Sequence, residues 1–149
     1  MFRRILVPTD GSVGARHAVL AASRLANLSG AEVIALHVIA PPVPAMSYMG
    51  LGVIGAPVPL DTAAEPEPPE RDRALVEARR LAQGAGVALE SRQVLAPQTA
   101  AAILDLAETE GCDLIVMASN GYGDLMSLIT GSITARVVSG CDLPVLVVH

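Results

Sequence analysis

The chain contains no lysine and no tryptophan. Its basic residues are ten arginines scattered from Arg3 to Arg136, and at a formal net charge of −5 they form no stripe that could neutralise a polyanion backbone. Nucleic acid is therefore not an expected partner. Without lysine the G-K-[ST] phosphate loop cannot exist, and no G-x-S-x-G, H-E-x-x-H or C-x-x-C occurs either. The aromatic residues are only Phe2, Tyr48 and Tyr122, so any bound ring must rest on aliphatic side chains and backbone instead of a stacking platform. Cys112 and Cys141 lie far apart and match neither a zinc site nor a secreted disulfide framework, which leaves them as reduced small hydrophobes. The apolar run after MFRR ends at Pro8, too short for a signal-peptide core, and a cytoplasmic protein is expected. The charge-free window Val38–Leu60 is long enough to raise the membrane question. It carries Pro41, Pro42, Pro44, Pro57, Pro59 and three glycines, which rule out a spanning helix, so no membrane contact is expected.

What the chain does have is apolar content, 52% over 149 residues, enough for one sizeable core and a single domain over 1–149. Short apolar runs alternate with helical spacing. Strands are predicted at 5–7, 33–39, 87–95, 114–118 and 144–148, with helices at 14–28, 71–85, 98–110 and 131–140. Ala18, Ala21, Ala22 and Leu25 recur at i, i+3, i+4, i+7, as do Ala100, Ile103, Leu104 and Ala107, giving each helix one apolar face. The runs 5–7, 114–118 and 145–148 are apolar on both faces, as strands buried between helix layers should be, whereas 87–95 alternates and suits a peripheral place. The order βαβαβαβαβ implies an open, doubly wound parallel sheet with helices on both faces.

Residues 40–70 interrupt this rhythm with eight of the eleven prolines and no period of either kind. A loop of that length in a small domain is usually functional or disordered. Met46, Tyr48, Met49, Leu51, Val53 and Ile54 favour an ordered flap or contact surface over a solvated linker. The segment EPEPPERDR (65–73) reads as a charged lead-in to the next helix, and Asp105, Glu108 and Glu110 read as a solvated helix face.

Ligands of a doubly wound sheet bind beyond the carboxyl ends of its strands. Three loops qualify. In PTDGS (8–12), Asp10 follows the first strand and could accept ribose hydroxyls or help hold a divalent cation, while Ser12 can cap the following helix. In LHVIA (36–40), the backbone of Val38 could read an adenine edge. His37, inside the strand with no Asp, Ser or Cys beside it in sequence, reads as packed or hydrogen-bonded and not as a catalyst. The third loop, MASNGYGDLMSLITGS (117–132), leaves a strand and reaches Gly131-Ser132 at a predicted helix start. There, glycines and free amides suit phosphate, although a plain turn into a helix fits the same residues. Thr134 and Arg136, one turn further on, read as helix surface, with the guanidinium also within conceivable reach of a phosphate.

Taken together, RRILVPTDGS, LHVI, the G-S helix start and the terminal PVLVV resemble the universal stress protein family over nearly the whole chain. The resemblance implies a five-stranded parallel sheet of Rossmann-like, adenine nucleotide alpha hydrolase-like type. It further implies a G-x-x-G motif followed by nine residues and G-S that binds ATP, with Mg or Mn as the companion ion. Carried over, it places Pro8, Thr9, Asp10, Val38, Ala118, Ser119, Gly121, Gly131, Ser132 and Ile133 at an adenine nucleotide, with Asp10 near its metal. The chain departs from the motif at Ala118, which replaces the first glycine, at Tyr122, where many relatives carry a basic residue, and at Asp124, a carboxylate close to the phosphates. The resemblance and the apolar PVLVVH strand together imply a homodimer through 143–149.

These residues lead to a nucleotide-binding regulatory protein whose hydrolysis is slow or absent. The alternative is a dimeric interaction module of the same fold that binds no nucleotide and uses the 40–70 loop. An adenylate-forming or pyrophosphate-cleaving enzyme would need a lysine, HIGH-like or S-G-G-x-D motif that the sequence lacks.

Overall fold

The computed structural model of the chain describes residues 1–41, 66–119 and 133–149. Five strands are present: β1 (Arg4–Pro8), β2 (Glu32–Ile39), β3 (Leu89–Leu95), β4 (Leu114–Ala118) and β5 (Val145–Val148). Among the described residues four helices join them: α1 (Val13–Ser29), α2 (Arg73–Gly84), α3 (Thr99–Thr109) and α4 (Ile133–Gly140). All pairings are parallel, and the sheet runs β3-β2-β1-β4-β5. The chain thus winds outward from β1 to β3 on one side and from β4 to β5 on the other. The switch in direction falls between β1 and β4, where a doubly wound sheet opens its ligand crevice.

The period of two along each strand sorts the core into two layers. Ile5, Val7, Val33, Ala35 and Val116 face α1 and α2, while Leu6, Ile34, Leu36, Ile115 and Met117 face α3 and α4. On the first face the buried positions of α1 are mostly small, Ala15, Ala18, Ala22, Ser23 and Ala26, with Val19 the one larger side chain. The polar member, Ser23, keeps its hydroxyl satisfied by donating to the Val19 carbonyl at 2.8 Å. On the second face the larger Ile103 and Val137 are fully buried. Burial of an aliphatic side chain of that size stabilises by about 1.5–3 kcal/mol.

Local signals account for the helix ends. Ser12 accepts from the Ala15 amide at 3.2 Å and starts α1, and Gly30, at φ 71°, ends it by donating to the Ala26 carbonyl at 2.7 Å. The alternating strand 87–95 is β3, and it forms one sheet edge as its pattern predicts.

Three expectations are corrected by the structure. The run 145–148, expected to be buried between helix layers, has no fully buried residue and leaves Leu146 40% exposed, because it is the opposite sheet edge and the described helices cover its faces only in part. Glu110 does not belong to a solvated face. It accepts from Arg92 Nε at 2.7 Å and lies 3.4 Å from Arg4, within a group of charges at the amino ends of β1, β2 and β3 that includes Glu32 and Glu90. The Arg92 hydrogen bond holds the Glu110 carboxyl below its ordinary range and outweighs the desolvation that raises it. The third correction is Asp72. It is no part of a mere charged lead-in, being buried at the start of α2 and accepting from the Ala74 and Leu75 amides.

Candidate functional site

At the carboxyl end of β1 the chain turns sharply before entering α1. The Thr9 amide donates to the Leu36 carbonyl at 2.8 Å, which extends the β1–β2 ladder by one step and buries Thr9. Asp10 Oδ1 accepts from the Ser12 amide at 2.9 Å, and Thr9 Oγ1 accepts from the Gly11 amide at 3.3 Å. Both are side-chain-to-backbone bonds that stabilise a turn without a helix or strand partner. Gly11 takes φ 79°, a left-handed conformation that favours glycine. Asp10 is half-buried, and only its Oδ1 has a partner among the described residues.

One strand over, Val38 pairs in register with Val94 of β3 and is half-buried near the end of β2. On the other side of β1, β4 ends at Ala118, whose Cα is in register with Val148. The Ser119 amide continues that ladder by donating to the Val148 carbonyl at 2.9 Å. Thr134, in the first turn of α4, donates its hydroxyl to the Ala118 carbonyl at 2.8 Å and lies 3.4 Å from the Ser119 carbonyl. The start of α4 is thereby fastened to the end of β4.

Pro8, Thr9, Asp10, Val38, Ala118 and Ser119 thus all lie at the carboxyl ends of three adjacent strands, around the point where the winding reverses. Ile133 opens α4 directly beside Thr134 and is 40% exposed. Gly121, Gly131 and Ser132, together with Tyr122, Asp124 and the Met46–Ile54 segment, lie outside the described residues. A shallow, largely apolar groove of about 410 Å³ sits beside this end of the sheet, between β3 and α3, lined by Val94, Ala96, Pro97, Ala101, Asp105 and Leu106. None of the predicted site residues lines it.

Sequence reasoning missed two features here. The sequence suggests helix surface for Thr134, whereas its hydroxyl ties α4 to β4; Arg136 is exposed on that helix. The second is a polar cluster behind the strand ends. His37 Nδ1 lies 2.6 Å from Asp72 Oδ2, and Gln93 Nε2 donates to the same oxygen at 2.7 Å. His37 is therefore hydrogen-bonded, as its place in a strand suggests, but to a residue 35 positions away. Burial alone would raise the Asp72 carboxyl. Hydrogen bonds from His37 and Gln93, the His37 charge and the Leu75 amide together bring it below the usual carboxylate value.

As to metals, the described residues hold no group of three His, Cys, Asp or Glu side chains that could bind an ion by themselves. Among the described residues of the predicted site Asp10 is the one carboxylate, a donor set that fits a hard divalent cation only when the cation's other ligands come from elsewhere, such as a bound phosphate. Among the described residues no helix is long and apolar enough to cross a membrane.

Comparison with known proteins agrees with this architecture. A universal stress protein from Thermus aquaticus is 34% identical over 149 residues, covering 100% of both chains. One from Methanocaldococcus jannaschii is 31% identical over 148 residues, or 99% of this chain and 82% of the relative. Among solved structures, a universal stress protein in complex with cAMP superposes with a TM-score of 0.68 at 26% identity, covering 99% of this chain and 97% of that one. An Archaeoglobus fulgidus universal stress protein in complex with dAMP shares the fold with a TM-score of 0.67 at 18% identity, covering 99% of this chain and 98% of that one. The model of the universal stress protein family matches residues 1–149, and the chain belongs to that family.

Proposed function

We propose that the chain binds an adenine nucleotide, ATP with Mg or Mn, across the carboxyl ends of β1, β2 and β4. Occupancy then sets the state of an interaction surface, with hydrolysis slow or absent. The observation that carries this reading is the convergence of the Thr9–Asp10 turn, the Val38 backbone and the Ala118–Ser119 strand end at the switch point of the sheet. A relative of 26% identity was solved with cAMP, an adenine nucleotide, which supports the same ligand class.

In this reading the half-buried Asp10 faces ribose hydroxyls or the metal, and the Val38 main chain meets adenine. Ala118, Ser119 and Ile133 flank the phosphates, with Gly121, Gly131 and Ser132 supplying amides and a hydroxyl. Pro8 and Thr9 form the floor beside β2. A bound cation would offset the charges of Asp10 and Asp124 against phosphate, and in a chain without lysine that role has few other candidates. The protein would work in the cytoplasm as a homodimer joined through 143–149, where β5 presents the exposed Leu146 at an open sheet edge.

The test is calorimetry with Mg-ATP on protein stripped of carried-over nucleotide. Saturable binding sustains the proposal, and no heat at millimolar ATP overturns it. The methyl of Ala118, standing where the family motif has glycine, favours a second reading, an interaction module that has lost its nucleotide. That reading requires Gly131→Asp to leave partner binding intact.

A further inference from the structure

Among the described residues Asp72 is the only charged residue that is buried, with its side chain 5% exposed. Taking a carboxylate out of water costs several kcal/mol, so its partners must return that energy. Both oxygens are fully used. Oδ1 accepts from the Ala74 amide at 3.0 Å and the Leu75 amide at 3.3 Å, capping α2. Oδ2 accepts from His37 at the end of β2 and from Gln93 on β3, at 2.6 and 2.7 Å. The same Gln93 amide donates to the Glu67 carbonyl at 2.9 Å. One carboxylate therefore joins the start of α2, two strand ends and the chain leading into α2.

Capping needs only Oδ1, and Asn, Ser or Thr would serve as well. The second oxygen does something a cap does not require. An ionised carboxylate only accepts, which assigns the shared proton to His37 Nδ1 and fixes the ring tautomer. His37 immediately precedes Val38. On the other side, the first turn of α2 abuts the β1 turn, since a Cβ built on Gly11 would stand 3.5 Å from both Cα and Cβ of Ala74. The two backbone segments that an adenine nucleoside would bridge, 9–12 and 38, each rest on a group that Asp72 holds.

We infer that Asp72, acting through His37 and the first turn of α2, is a positioning residue that fixes the spacing between the Thr9–Ser12 turn and the Val38 backbone. The inference rests on the nucleotide reading above for its ligand, and on the hydrogen bonds and packing of the chain for its mechanism.

Asp72→Asn tests it while keeping an Oδ1 cap. The new amide is a donor where Oδ2 accepted, so His37 must move its proton to Nε2 and accept at Nδ1, and the Gln93 amide must rotate away from Glu67. His37→Asn keeps a donor near the Nδ1 position and serves as the conservative rescue, whereas His37→Leu removes it. Three measurements apply: the His37 tautomer by long-range ¹H–¹⁵N correlation, amide shifts of residues 9–12 and 38–39 in the nucleotide-free protein, and Mg-ATP affinity. Asp72→Asn and His37→Leu are expected to move those amides and weaken Mg-ATP about tenfold, with His37→Asn within about twofold of the parent. A tautomer change in Asp72→Asn with strand-end amides and affinity unmoved overturns the inference. If the parent protein binds no nucleotide at millimolar concentration, the nucleotide reading fails. The positioning role is then decided on the ligand-free amides alone: displaced, it stands; undisplaced, it falls. Should Asp72→Asn not fold, the His37→Asn and His37→Leu pair makes the same comparison.

Discussion

Replacing Gly11 and, separately, Gly30 by alanine isolates the strand-end turn from general stability. Both residues sit in the left-handed region, at φ 79° and 71°. An L-residue there costs about 1–2 kcal/mol, and the loss of unfolded-state freedom returns roughly 0.4–1 kcal/mol, for a net destabilisation of about 1 kcal/mol at each site. Sterics add little to either figure. The new methyl would meet Ala74 at 3.5 Å at position 11, ordinary van der Waals contact, and would have nothing within 4 Å at position 30. Each variant should therefore melt about 2–4 °C lower in a chain of this size, and urea titrations should give matching losses. Ligand binding separates the pair. Gly11 lies between Asp10 and Ser12, so a turn that relaxes its backbone displaces the Asp10 carboxylate, whereas Gly30 ends α1 just before β2, at the opposite, amino end of the strands. Mg-ATP calorimetry should show weaker binding for Gly11→Ala and parental binding for Gly30→Ala. The reasoning is refuted if Gly30→Ala weakens binding as much as Gly11→Ala. It is refuted equally if Gly11→Ala costs more than about 3 kcal/mol, which would mean that packing against α2 and not backbone conformation dominates there.

Two further predictions concern titration. Burial pushes the Cys112 thiol up to about 11, so at pH 8 it is neutral and shielded; Ellman's reagent should leave it unmodified in the native protein and label it on unfolding, and rapid native labelling would contradict its placement in the core. The Asp72 carboxyl is lowered on folding, so its contribution is complete above the unfolded value of about 3.9 and is lost as pH falls through the lower folded value. Asp72→Asn should accordingly flatten the acid limb of the stability curve below about pH 4, and an unchanged limb in urea titrations would show that the buried carboxylate is not ionised.

Whatever depends on neighbours along the chain was legible beforehand. LIVMA reads as β4 to the residue, because five consecutive apolar positions, too few for a helix, suit a strand covered on both faces. Ser12 reads as a cap because its bond spans three residues, and the alternating 87–95 reads as peripheral because β3, at the sheet edge, has no fully buried residue. What escaped was long-range. Asp72 precedes RALVEARR as an N-cap should, so half of its role was available locally, yet its other oxygen is matched to residues 35 and 21 positions away. The same distance hid the Thr134 bond to Ala118 and the pairing of Glu110 with Arg92. For β5, hydropathy revealed a strand but could not say that it ends the sheet, since an apolar strand looks alike whether a helix layer or another protein chain covers it.

The placement of β1 between β2 and β4 also sets an order of assembly. Its pairing with β2 closes a short path through α1, but its seam with β4 joins Arg3 and Arg4 to Asp113 across 110 and 109 positions. Closing a loop that long costs entropy before any contact repays it, and such pairings are slow to form. During synthesis the β1–β2–β3 half can collapse while β4 is still inside the ribosome. The Thr9–Asp10 turn can therefore form early, but the crevice beside it has no second wall until β4, in the last third of the chain, arrives. Competence to hold a ligand there is acquired only near the end of folding, so a ligand that spans the seam would act as a clasp on the slowest step.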